Sequence, residues 1–166
     1  MRQRAIRIFT LAALLTAIAG NVSAQQPEIR GIFQTSATSR CIGNPRTPLC
    51  AVETLIACWV RRDRHFCEMV GSPDLSSGDA ATAILGAEYF VRKTFTIRAE
   101  DIPDRLKDAD WYQPGMVEIK LKIRDCFTEG TVCTGSDWLN YFGSLERVGD
   151  LWRVVGWAAV TKAFVE

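Results

Sequence analysis

Apolar and polar residues alternate most regularly in MVEIKLKIRDC. There Val117, Ile119, Leu121 and Ile123 fall on one side, and Glu118, Lys120, Lys122 and Arg124 on the other. Successive side chains of a strand point to opposite faces, so this stretch predicts a half-buried β-strand. Residues 91–98 predict another, with Val91, Phe95 and Ile97 set against Arg92, Thr94, Thr96 and Arg98. Residues 139–147 and 151–160 form a final pair that turns at Gly149-Asp150. The last of these has no polar face, because Trp152, Val154, Val155 and Trp157 occupy both sides; it is expected inside the sheet.

Upstream the period is helical. Thr47-Pro48 offers a capping hydroxyl and a proline suited to the first turn, and Leu49, Val52, Ile56, Trp59 and Val60 follow at helical spacing. Phe66, Met69 and Val70 resume the pattern after a charged run, and Gly71-Ser72-Pro73 ends it. Residues 80–85 suit a third short helix, and residues 101–107 a helical turn in a long connection. Residues 25–46 are polar, carry Gly31, Gly43 and Pro45, and read as an extended lead-in. Helices first and strands afterwards predict one α+β domain over residues 47–166, with N-terminal helices packed on an antiparallel sheet of about four strands.

Residues 1–24 carry the three parts of a secretory signal: Arg2, Arg4 and Arg7, then an apolar run, then Val22-Ser23-Ala24 as a small-residue cleavage site. The run is shorter than the ~20 residues that span a bilayer, so export is expected rather than stable membrane insertion. Cleavage removes three arginines and no acid, so 20 basic and 19 acidic residues become 17 and 19. A slightly acidic chain lacks the cationic excess on which nucleic-acid affinity depends, so no nucleic-acid partner is expected.

All six cysteines lie beyond that segment, and an even count in a small exported chain predicts disulfides in the periplasm or outside the cell. Zinc is the rival, but cysteines two to four residues apart are missing and there is one histidine, so no metal is expected. In CWVRRDRHFC, residues 58–67, a straight helix would hold Cys58 and Cys67 ~13.5 Å apart. A disulfide tolerates only ~4.4–6.8 Å between α-carbons, so the pair can close only if the helix bends. Asp63 can cap a new helix there, while Arg61 and Arg62 complement the end of the old one. Cys50 and Cys58, eight residues apart along one rod, are ~12 Å apart and excluded. The expected connectivity is Cys41–Cys50, Cys58–Cys67 and Cys126–Cys133, the last directly across a hairpin turned at Glu129-Gly130. The alternative is a Cys58 or Cys67 that reaches the sheet.

AVETLIACWVRRDRHFCEMV, followed by Gly-Ser-Pro-Asp, and the closing LERVGDLWRVVGW resemble the order of elements in the nuclear-transport-factor-two-like superfamily, with the cystatin-like fold as a neighbour. The resemblance spans residues 48–160. It implies a curved sheet wrapped around the helices as a cone with a pocket at the open end. Some members are isomerases, dehydratases or hydrolases; others bind ligands or only assemble. Asp63 and His65 sit at the inter-helix turn, whereas the superfamily's catalytic groups line the cone interior. An aspartate–histidine role is therefore not carried over, and the three disulfides are no general feature of the superfamily.

His65, with an ordinary pKa near ~6.5, has the chemistry of a general acid–base, but among Arg61, Arg62, Asp63, Arg64 and Glu68 it reads as part of a solvated bend. No Gly-x-Ser-x-Gly elbow and no phosphate-cradling glycine loop is present. Asp101, Asp104, Asp108 and Asp110 could pair as glycosidase carboxylates, yet read as an acidic loop. Lys120, Lys122 and Arg124 read as a solvated sheet face. Trp111 and Tyr112, beside Pro114-Gly115, are the candidates for a pocket rim or partner contact. The expectation is a non-catalytic binding or accessory domain, without cofactor, for a small ligand or protein partner; a homodimer is left open. The alternative is an enzyme with a polar cluster inside the cone, for which Tyr89, Asp125 and Tyr141 are the candidates. A binding module instead predicts an exposed aromatic loop and a sealed interior.

Overall fold

A computed structural model describes residues 27–34, 39–71, 85–126, 133 and 137–160. Five strands form one antiparallel sheet in the order of the chain: β1 (Arg30–Phe33), β2 (Gly86–Thr96), β3 (Val117–Cys126), β4 (Leu139–Val148) and β5 (Leu151–Val160). Two helices, α1 (Pro48–Arg61) and α2 (Arg64–Met69), precede β2. The α+β class is as expected, and the four expected strands follow the two helices. The lead-in, however, contributes a fifth strand: Arg30 to Phe33 pair with Tyr89 to Gly86 along the edge of β2. Four residues of RGIF are too few to show a period of two, so this strand was not legible in the pattern. The expected helix at residues 80–85, except for Leu85, and the hairpin turn at residues 129–130 fall outside the described residues.

α1 begins as its sequence dictates. The hydroxyl of Thr47 accepts the Cys50 amide at 3.1 Å, and Pro48 opens the first turn. Val52, Leu55, Ile56 and Val60 are fully buried against the sheet with Ile119, Leu121, Ile123 and Leu145. Each such side chain contributes ~1.5–3 kcal/mol relative to an exposed one. The helix stops at Arg62, whose φ of 53° lies in the left-handed region and whose N–H returns to the Cys58 carbonyl. Asp63 then caps α2 by accepting the His65 amide at 2.9 Å. This bend brings the α-carbons of Cys58 and Cys67 to 5.3 Å, and their disulfide closes over it. Cys41–Cys50 and Cys126–Cys133 are also bonded, with α-carbons 4.4 and 4.7 Å apart.

Two expectations about the strands are corrected. β5 lies at the edge of the sheet, not inside it. Both its faces are apolar because both are covered: Val154, Trp152 and Trp157 pack on the helix side, while Gly156 on the other side lies under the Trp111 ring. Part of its outer edge is satisfied without a strand, since the Trp152 and Val154 amides donate to the carbonyls of Pro45 and Val70 at 2.7 and 2.9 Å. In β2, Val91 and Phe95 do not share a face. The register shifts between Val91, opposite Leu121, and Lys93, opposite Lys120, and the extra residue re-aims everything beyond it. Phe95 therefore stands opposite Glu118, on the face away from α1.

Candidate functional site

Polar side chains are gathered at two places, one on each face of the sheet. On the α1 face, Glu53 is 3% exposed in the middle of the helix. Its carboxylate accepts the Tyr89 hydroxyl, the Arg30 guanidinium at 3.0 Å and the Ser39 hydroxyl at 2.8 Å. Burial pushes the Tyr89 hydroxyl well above the usual tyrosine range, and the Glu53 carboxylate pushes it further. The carboxylates of Glu28 and Glu53 raise the Arg30 pKa in turn. A cavity of about 310 Å³ adjoins the cluster, bordered by Arg30, Ser39, Arg40, Glu53 and Tyr89. These bonds join β1, the segment before α1, the helix and β2, which are distant in sequence. Tyr89, Ser39 and Arg30 all donate to the Glu53 carboxylate, Arg30 to Glu28 as well, so the arrangement ties an edge strand to the core.

The opposite face carries a larger groove of about 1250 Å³. Its far wall is the connection from β2 to β3, which contains 3-10 turns at Ala99–Asp101 and Asp104–Leu106 and folds back over the sheet. Three contacts anchor this wall. The Trp111 carbonyl accepts the Ser144 hydroxyl at 2.5 Å, the Trp111 ring lies 6.1 Å from that of Phe142, and the Tyr112 hydroxyl donates to Glu118. Glu118 is 4% exposed and also pairs with Lys120 at 3.4 Å. Burial and then the Glu118 carboxylate push the Tyr112 hydroxyl far above its ordinary range. Ile97 is buried on this side as well, so the connection has a small apolar cluster of its own. Phe95, Phe142 and Trp111 supply aromatic surface to the groove, and five cations stand around it against the carboxylates of Asp101 and Glu118.

Of Tyr89, Asp125 and Tyr141, the last two lie near enough for their charges to interact, while Tyr89 is engaged elsewhere. Tyr89 is taken by Glu53, and the Tyr141 ring stacks on Trp157 at 5.6 Å. Asp125 is half-buried, which raises its pKa, and its charge adds to the burial that raises that of Tyr141. Trp111 and Tyr112 line the groove, but not as an exposed loop: Tyr112 is 7% exposed and Trp111 half-buried. His65 is exposed, as expected of a solvated bend. In the acidic loop, Asp104 pairs with Lys107 at 2.6 Å in full contact with water. Sequence reasoning missed Glu53, Arg30, Glu118 and Lys93. A glutamate among Val52, Leu55 and Ile56 was a signal of burial with a partner, because a carboxylate between apolar helical positions has to be paired. Among the described residues, no group of three or more His, Cys, Asp or Glu side chains is arranged to hold a metal ion. Compared with protein-family models, curated proteins and solved structures, the chain matches none.

Proposed function

We propose that the chain is an exported, non-catalytic binding domain whose ligand site is the groove between the sheet and the β2–β3 connection. Three disulfides suit an oxidising compartment, and among the described residues no helix is long and apolar enough to cross a membrane. The observation that carries the reading is the state of the groove floor. Glu118, the one buried carboxylate there, is engaged by Tyr112 and Lys120 and closed off from water. A carboxylate so held is a foundation for the wall above it, not a reacting group. Aromatic surface and cations line the groove around it. The helix–bend–helix opening followed by an antiparallel sheet is what the resemblance to the cone-shaped superfamily leads one to expect, but the groove lies on the face away from α1 and not in the cone interior where that superfamily has its pocket.

Native mass spectrometry tests the proposal. The folded protein, incubated with an extract of the native exported fraction, should retain a compound of defined mass, and Phe142→Ala should not. The compound should be recovered unchanged. Recovery of a chemically altered product, formed by the native chain and not by Phe142→Ala, would favour the isomerase, dehydratase or hydrolase alternative.

A further inference from the structure

The charges around the groove are unevenly matched. Arg92, Lys93, Arg98 and Lys120 border it, against two carboxylates. One of those, Glu118, is already committed to Tyr112 and Lys120. Arg98 meets Glu100 only at 3.9 Å in open solvent, and Arg92 and Lys93 have no carboxylate partner among the described residues. A chain with 20 basic and 19 acidic residues has thus concentrated positive charge on one surface. The bulge in β2 contributes to this, because it places Lys93 beside Lys120 and Phe95 opposite Glu118 on the groove side. Lys93 and Lys120 then lie 4.8 and 5.7 Å from the centre of the Phe95 ring, so charge and aromatic surface are interleaved.

We infer that the groove binds an extended acidic peptide segment with apolar side chains. The inference rests on the binding reading above and names its ligand class. Length is the first argument. From Arg92 to Arg98 an extended chain covers roughly 20 Å, more than a compact carboxylate can reach. The groove volume of about 1250 Å³ also exceeds the ~300–1,000 Å³ usual for small ligands. The second argument is the strand edge. β1 covers β2 only from Gly86 to Tyr89, and residues 90–96 have no strand on that side among the described residues. Main-chain groups along such an edge match those of another polypeptide, which a polysaccharide lacks. Arg92 and Lys93 guard the edge against uncharged strands and select acidic ones.

Fluorescence anisotropy tests this with a fluorescein-labelled nonapeptide in which glutamates alternate with phenylalanine and alanine. Its counterpart carries glutamine in place of glutamate. The acidic peptide should bind the whole protein at low ionic strength, weaken as salt rises, and exceed the glutamine peptide by about tenfold. Lys93→Ala combined with Arg98→Ala, both exposed positions, should lower its affinity by about tenfold with the circular-dichroism spectrum unchanged. Equal binding of the two peptides, or indifference to the double variant, would overturn the acidic assignment and leave the groove reading standing. Tight binding of dextran sulfate without binding of the acidic peptide would overturn the peptide assignment. Nile red, a neutral probe, separates the two levels. If it too fails to bind in a manner lost in Phe142→Ala, the binding reading falls along with the inference.

Discussion

Glu53 and Glu118 are both carboxylates buried to within a few per cent, and each accepts a tyrosine hydroxyl, but they lie on opposite faces of one sheet and have different surroundings. Glu53 is met from three segments, and its tyrosine is 36 residues away. Glu118 is met by a tyrosine six residues away and by a lysine whose side chain is 47% exposed. The first carboxylate organises the fold, because donors from β1, the segment before α1 and β2 all meet on it. The second organises a wall, because it fixes where the β2–β3 connection rests on the sheet. What separates scaffold from site is not the pair itself but the number of distant segments that depend on it.

That comparison is broken or sharpened first by removing the carboxylates. Glu53→Ala should cost about 2–4 kcal/mol in urea denaturation, since it leaves the buried Tyr89 hydroxyl without its acceptor and unties β1 and the segment before α1, while Arg30 keeps Glu28. Glu118→Ala should cost less, about 1–3 kcal/mol, because Lys120 can turn to solvent. Equal losses would erase the distinction. Next in size is Gly156→Ala, whose new methyl group would meet the Ser144 hydroxyl and come within 2.8 Å of the Trp111 ring. It should cost about 1–3 kcal/mol through overpacking and displace the connection, lowering ligand retention as well as stability.

Smaller effects are expected from the tyrosines. Tyr89→Phe and Tyr112→Phe should each cost about 1–2 kcal/mol, while only Tyr112→Phe should weaken ligand binding. Both hydroxyls are held above their ordinary pKa in the folded chain, so their contribution is complete below ~pH 10. Above it the unfolded chain loses those protons first, and stability should fall as pH rises. In urea titrations at increasing pH, either Phe variant should show a shallower decline than the native chain. The smallest effect belongs to His65→Ala, expected within ~0.5 kcal/mol of the native stability and with unchanged ligand retention. A large loss of binding there would move the site to the bend.

Local features could be read from the residues that form them. Thr47-Pro48 starts a helix, Asp63 restarts one, and the alternation from Val117 to Arg124 makes a strand, because each depends on neighbours within a turn or a few residues of the same strand. The three disulfides were legible for the same reason: each closes a loop of at most nine residues, so helix and hairpin geometry constrain the pairing. Other features have no local signature. The bulge at Arg92 is a property of how β2 meets β3, and it alone decides that Phe95 and Lys93 face the groove. β5 is apolar on both sides whether central or marginal, and only the docking of Pro45 and Val70 on its edge distinguishes the two. Glu53, Arg30 and Tyr89 are scattered over the chain and meet only once α1 lies on the sheet. The sequence by itself therefore determined the two helices, the four long strands after them and the covalent staples, all of which are short-range, but not the edge strand β1. Tertiary structure decided which faces are covered and where charge collects, because those depend on register and on contacts between segments that no local pattern records.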